Sequence, residues 1–228
     1  MKPQQIENNR YKKANFNLFR EEEAIMFDML KRSIAKHSGN RNSLKLLDVG
    51  CGTGLITARV AKLGLKVRGL DFSATALKKA KKLGLDVVQC DLDEGIPEKN
   101  ASYDVVWAGD IVEHVFDPIN LLKEVYRVLK PGGILLLTIP NDVGLISRLK
   151  MLWGISHQEM MYRKAGYYKH HTFFSPSLIT FMLDRAGLNI EELRKILIVG
   201  SYHLPIRVLP SAFFNEMVIR AVKPEVRG

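Results

Sequence analysis

The sequence predicts an α/β protein built on a mostly parallel sheet with helices on both faces, and three observations carry that expectation. Short β-rich runs alternate with amphipathic helical stretches from residue 44 onward. A phrase recurs at the joints between them: KLGLKV at 62–67 returns as KLGLDV at 82–87 and, more loosely, as RAGLNI at 185–190. Each copy sets a glycine, Gly64, Gly84 or Gly187, where a helix ends in a left-handed cap before a strand. Finally, a strand-like run ending in three alternate glycines, LLDVGCGTG at 46–54, opens the alternation.

Ahead of the sheet, REEEAIMFDMLKRSIAK is amphipathic, acidic at its start and basic at its end, as a helix dipole favours. It is expected to form the core of an N-terminal helical segment, residues 1–40, whose Tyr11 and Phe16 would either cover a bound ligand or simply pack. Five strands follow: LKLLDV (44–49), KVRGLD (66–71), DVVQCD (86–91), YDVVWA (103–108) and ILLLTI (134–139). Ser73 is expected to cap SATALKKAKKL, Asp117-Pro118 to open PINLLKEVYRVLK ahead of Gly132-Gly133, and Ser175-Pro176 to open SLITFMLDRAG. Residues 141–174 are rich in aromatic residues and histidines and contain the helical pattern LISRLKMLW, so they are expected to form a substrate wall or lid. The two last strands, IEELRKILIV (190–199) and EMVIRAV (216–222), have no helix between them and should pair antiparallel. The whole chain, 1–228, reads as a single domain.

Composition is that of an ordinary globular protein, 46% hydrophobic and 25% charged. MKPQQIENNRYKK has no apolar run behind its basic residues, so no secretory signal is expected, and runs such as ILLL are too short to span a bilayer, so a soluble cytoplasmic protein is expected. Two cysteines, Cys51 and Cys90, form neither a disulfide framework nor a metal pattern. The net charge of +10 is scattered, which suits a solvated surface first and an acidic substrate or membrane surface second. Basic and aromatic residues do not interleave, so nucleic acid is disfavoured as a partner.

A strand ending in Asp48, then glycines, then a helix should bring free backbone N–H groups to a ligand at the carboxyl edge of the sheet. Leu55 stands where a dinucleotide loop has its third glycine, and no phosphate-loop lysine follows, so a pyrophosphate is not the expected ligand. Asp71 at the end of the second strand is placed to accept from ribose hydroxyls, and Asp91 at the end of the third from an adenine amine. Together these describe a nucleoside pocket.

The runs LLDVGCGTG, Asp71, Asp91, YDVVWAGDIVEHVFDP and VLKPGGILLLTIPN, in that order, resemble the motifs of class I S-adenosylmethionine-dependent methyltransferases over residues 40–141. Beyond them, HHTFFSPSLITFMLDRAGL is similar to the small-molecule branch that includes ubiquinone-biosynthesis O-methyltransferases and sugar- and lipid-tailoring methyltransferases. The resemblance implies a Rossmann-like seven-stranded sheet of order 3-2-1-4-5-7-6 with the last strand antiparallel. It implies S-adenosyl-L-methionine as cofactor and S-adenosyl-L-homocysteine as product, and methyl transfer to a small-molecule acceptor, expected at oxygen and possibly acidic or lipid-linked. It also implies that Asp48, Gly50, Cys51 and Gly52 line the methionine and ribose part of the cofactor and that Asp71 holds the ribose. Phe72 would flank the adenine with Asp91 and Leu92 at its edge, and Ala108, Gly109 and Asp110 would pass the aminoacyl end.

The expected catalytic groups are His171, His114 and Asp110, with His170 a further candidate base. Asp110, Glu113 and His114 would share one side of a helical turn, a pattern able to hold a divalent metal, although a structural role for Glu113 and His114 is favoured and no metal site is assigned. A nicotinamide-dependent oxidoreductase is disfavoured by Leu55 and by the antiparallel end strands. A non-catalytic cofactor-binding partner protein is the alternative from another class. Oligomeric state is not readable from the sequence.

Overall fold

The computed structural model describes residues 21–35, 41–156, 159, 162, 170–199, 202–206 and 213–225. Tyr11 and Phe16 lie outside them, as does most of 157–169. The helices are α1 (Glu21–Ala35), α2 (Leu55–Ala61), α3 (Ala74–Lys82), α4 (Pro118–Val128), α5 (Leu145–Leu152) and α6 (Pro176–Arg185). The strands are β1 (Lys45–Val49), β2 (Lys66–Asp71), β3 (Asp86–Gln89), β4 (Tyr103–Gly109), β5 (Leu129–Pro140), β6 (Asn189–Val199), β7 (Tyr202–Ile206) and β8 (Glu216–Val222).

The sheet runs β3-β2-β1-β4-β5-β8-β6-β7. Neighbours from β3 through β5 are parallel, and β8 lies antiparallel between β5 and β6. This is the expected seven-stranded order, with one addition: β7 turns back on β6 as an edge hairpin within the connection between the last two expected strands.

Alternation along the central strands divides the core between the two faces. Leu47, Val49, Val106, Ala108, Leu135, Leu137 and Ile139 face one layer with α4, α6 and Phe174. Leu46, Val105, Trp107, Ile134 and Leu136 face the other, where α1 packs Met26, Phe27 and Leu30. Phe27 meets Trp107 edge-on, with ring centroids 5.3 Å apart. Burying one such leucine stabilises the fold by about 1.5–3 kcal/mol, so this layered alternation is the main support of the sheet.

The expected caps are in place. Ser73 accepts from the Ala76 N–H, Asp117 from Asn120 and Ser175 from Leu178, with Pro118 and Pro176 in the first turns. Gly64, Gly84 and Gly187 all have positive φ. One boundary moves: α4 stops at Val128 rather than at the Gly132-Gly133 pair, because buried Leu129 is already extended and pairs with Tyr103. The Lys223 ammonium donates to the Tyr126 and Leu129 carbonyls at 2.8 Å each, satisfying acceptors at the helix end.

Candidate active site

The carboxyl ends of β2, β1, β4 and β5 lie side by side, and the direction of winding reverses between β1 and β4. Open α/β sheets bind their ligands at such a crevice. The residues singled out from sequence gather along this edge.

The glycine loop after β1 corrects one expectation. Its N–H groups are not a free run: those of Gly50 and Cys51 both donate to the Leu70 carbonyl at 2.8 Å, and that of Gly54 donates to Cys51. The Gly52 N–H donates to Asp71 Oδ2 at 2.8 Å. The loop is thus stitched to the end of β2 by its own amides, because Gly50 and Gly52 adopt positive φ and turn those groups inward. Cys51 fits against Gly69 of β2, where an added Cβ would lie 2.7 Å from its sulfur. Burial and the nearby aspartates push the Cys51 thiol up, so it is inert packing rather than a nucleophile. Gly54 has a packing role too, since a Cβ there would stand 2.5 Å from Leu85 and 2.8 Å from Ala80, the close approach that seats α2 beside α3.

Asp48 is buried and accepts from Thr57 Oγ1 of α2 at 2.6 Å. Burial, reinforced by Asp71, pushes its carboxyl up to about 7, against the pull of the Thr57 bond. Asp71 is also buried, and its second oxygen accepts from the Ser73 N–H at 2.7 Å. Its carboxylate therefore ties the glycine loop to the start of α3. Phe72 follows it, partly exposed, its carbonyl accepting from Gln89 Nε2. Asp91 lies two residues beyond β3 and accepts from the Asp93 N–H, while Asp93 accepts from the Phe116 N–H at 2.7 Å. Leu92 is buried beside them. This chain joins the loop after β3 to the segment after β4.

At the end of β4, Ala108 is buried and Gly109 half-buried. Asp110 adopts φ 50°, rare for a residue with a side chain. Thr138 of β5 holds it there: the Thr138 hydroxyl accepts from the Asp110 N–H at 2.9 Å and donates to Asp110 Oδ1 at 2.7 Å. The expected one-sided trio of Asp110, Glu113 and His114 does not form as a helical turn. Only Val112–His114 makes a short 3-10 turn, and Asp110 faces Thr138 instead. His170 stands in its place. Donor atoms of Glu113, His114 and His170 lie within 4.8 Å of one another, and the two imidazoles meet edge-on at 5.0 Å. A carboxylate with two imidazoles is a donor set suited to a borderline divalent cation.

His171 is exposed, packs on Phe116 with centroids 4.1 Å apart, and donates its backbone N–H to the Glu113 carbonyl at 2.8 Å. The segment 170–174 is thereby fastened over the turn after β4, and Asp142 clamps its far end by accepting from the Phe174 N–H at 2.8 Å. The LISRLKMLW pattern forms α5 with no buried residue, so it does not pack on the core.

Sequence reasoning missed Thr57 and Thr138. Each is a single polar residue on an otherwise apolar buried face, which was the available signal.

Comparison with known proteins accords with this geometry. A family model described as a methyltransferase domain matches residues 47–137. The mouse mitochondrial ubiquinone biosynthesis O-methyltransferase is 33% identical over 179 residues, covering 73% of this chain and 47% of that protein. The chain spans about half the length of the mammalian relatives it matches. The Acinetobacter baylyi ubiquinone biosynthesis O-methyltransferase is 28% identical, covering 81% of this chain and 79% of the relative. Among solved structures, a Thermotoga maritima S-adenosylmethionine-dependent methyltransferase superposes with a TM-score of 0.65 at 22% identity, covering 96% of this chain and 98% of that one. A Haemonchus contortus phosphoethanolamine N-methyltransferase in complex with S-adenosyl-L-methionine gives 0.63 at 20% identity, covering 89% and 53%. These two likenesses show the fold. The matched domain, the sequence relatives and the sheet order together make this chain a class I S-adenosylmethionine-dependent methyltransferase domain that resembles the ubiquinone-biosynthesis O-methyltransferases.

Proposed function

We propose that the protein transfers the methyl group of S-adenosyl-L-methionine to an oxygen of a small-molecule acceptor, leaving S-adenosyl-L-homocysteine. The observation that carries this reading is the meeting, at one sheet edge, of a buried carboxylate tied to a glycine loop with a strained aspartate and a histidine cluster. The cofactor supplies an electrophilic methyl group, so the protein's tasks are alignment and proton removal. The same proposal puts the enzyme in the cytoplasm, in keeping with two cysteines that form no disulfide.

The residues present fit that cofactor. Asp71, fixed in place by the Gly52 and Ser73 N–H groups at the end of β2, is the carboxylate that would accept the ribose hydroxyls. Phe72 flanks the adenine, with Asp91 and Leu92 at its edge. Gly50, Cys51 and Gly52 give a close backbone surface, while Asp48, turned to Thr57, acts from behind it. Ala108, Gly109 and Asp110 line the aminoacyl side, Asp110 held by Thr138. His114, beside Glu113 with Nε2 and Oε1 3.9 Å apart, takes the acceptor's proton. His171, stacked on Phe116, covers the acceptor.

A second reading, favoured by the Glu113, His114 and His170 cluster, has a divalent cation hold the acceptor oxygen. The two separate on chelation: activity unchanged by EDTA supports His114 as base, whereas loss restored by one divalent ion moves His114 into the ligand set. The transfer itself is tested with methyl-labelled cofactor and fractionated cell extract, including the lipid fraction. If S-adenosyl-L-homocysteine binds but no fraction yields a labelled product, the chain is a cofactor-binding partner rather than an enzyme.

A further inference from the structure

We infer that Asp48 distinguishes cofactor from product by a proton: S-adenosyl-L-methionine binds with release of a proton from this carboxyl, and S-adenosyl-L-homocysteine binds with the proton retained. The inference rests on the cofactor placement given above, and it concerns charge rather than contact. Asp48 near the end of β1 is 4% exposed, and Asp71 at the end of the neighbouring β2 is 7% exposed. Two carboxyls are thus buried behind one glycine loop. Among the described residues, the bond to Asp48 comes from a neutral donor, the Thr57 hydroxyl at 2.6 Å, and no cation pairs with it.

The elements packed around Asp48 supply no compensating charge. Its register partners are Gly69 on β2 and Trp107 on β4. From α2 it meets Thr57, while Arg59 of that helix is exposed. The Cys51 thiol in the loop is pushed up by burial and so is neutral, and Cys90 beyond Asp71 is pushed up to about 11. Asp71 is the one charged group among the described residues whose field reaches Asp48, and it repels a second negative charge. A buried carboxyl in such surroundings keeps its proton into the neutral range, here up to about 7.

The two ligands test that proton differently. Both carry adenosine and an aminoacyl tail whose ammonium and carboxylate cancel, and they differ by one methyl group and the positive charge on sulfur. In a site shielded from water, the sulfonium favours the ionised form of Asp48 and draws its titration below the ligand-free position. A proton therefore leaves as the cofactor enters. By reciprocity, raising the pH strengthens cofactor binding by up to about tenfold per unit until Asp48 is ionised in the free protein, near pH 7, and no further above it. The product brings no such charge, so its affinity does not rise through this window. Acid pH thus favours retained product, and neutral pH favours its exchange for fresh cofactor.

The test is calorimetric titration of the full chain with each ligand from about pH 5.5 to 8, in pairs of buffers of different ionisation enthalpy, which counts the protons exchanged. Expected near pH 6 is release of about half a proton or more with S-adenosyl-L-methionine and almost none with S-adenosyl-L-homocysteine. The ratio of cofactor to product affinity should grow by about fivefold or more between about pH 5.5 and 7.5. Asp48→Asn should flatten that rise. Thr57→Val removes the bond that opposes the effect of burial, so it should carry the midpoint of the rise to higher pH. Equal proton counts for the two ligands, or a rise as steep in the asparagine variant, overturn the inference and leave the cofactor placement standing. A folded wild-type protein that binds neither ligand overturns both. Should circular dichroism show that the asparagine variant is unfolded, the wild-type counts and the valine variant decide, and a midpoint that stays or falls overturns the inference.

Discussion

Asp48→Asn isolates the consequence of burying a carboxyl behind the glycine loop. In the native protein this group is 4% exposed and its carboxyl is raised from 3.8 to about 7. In the unfolded chain it ionises near pH 4, so between about pH 4 and 7 the native state holds a proton that the unfolded state has released. Stability from this group is therefore fully present below about pH 4, declines as pH rises through the window, and is flat above it. Three pH units at 1.36 kcal/mol each give a total of about 4 kcal/mol. Asparagine removes the charge but keeps an oxygen to accept from Thr57. At pH 5 the variant should lie close to wild type, and by pH 8.5 it should gain by about 2–4 kcal/mol relative to its own pH 5 difference. Urea unfolding at intervals from pH 5 to 8.5 measures this directly. A wild-type-minus-variant difference that is the same at every pH would refute the assignment of a buried, proton-holding Asp48.

The remaining predictions concern the edge of the sheet. Asp71→Ala should lower S-adenosyl-L-homocysteine affinity by about tenfold or more, through lost charge-assisted bonds; titration calorimetry giving an unchanged affinity would remove the ribose role. Gly54→Ala, at φ 78° and with its Cβ 2.5 Å from Leu85, should cost about 2–4 kcal/mol. Gly84→Ala, at φ 75° in open space, should cost only about 1 kcal/mol, and thermal melts that rank the two the other way would contradict the packing role of Gly54. Thr138→Val should lower turnover through misplacement of Asp110, with Thr138→Ser restoring it; equal turnover for the valine variant would show that Asp110 is held without that hydroxyl.

Much of the fold was legible because its causes are local. Alternation along LKLLDV and YDVVWA, serine and aspartate caps, and glycines at helix ends depend on neighbours a few residues away, and all were found where the pattern put them. The end of α4 was not, because Leu129 answers to Tyr103 across the sheet rather than to its own helix. β7 was missed for a related reason: its strand character comes from pairing with β6. In the site, the aspartates and glycines were visible as types at spacings, but their bonds were not. Whether a loop N–H faces a ligand or the Leu70 carbonyl is set by the sign of φ at Gly50 and Gly52, which glycine alone leaves open. The replacement of Asp110 by His170 beside Glu113 is likewise tertiary, made by a chain segment more than fifty residues downstream.

The inward-turned amides of the glycine loop bear on discrimination among adenosine compounds. With the amides of Gly50, Cys51, Gly52 and Gly54 turned inward, the loop has fewer donors with which to replace the water around a phosphate, and the neighbouring aspartates disfavour one. ATP and dinucleotides present the same adenine and ribose, yet each would have to shed hydration from several negative charges into a pocket edged by carboxylates. Selection for a cofactor whose tail is cationic or zwitterionic thus resides in where the backbone hydrogens point, and no single side-chain replacement in the loop would convert it into a nucleotide site.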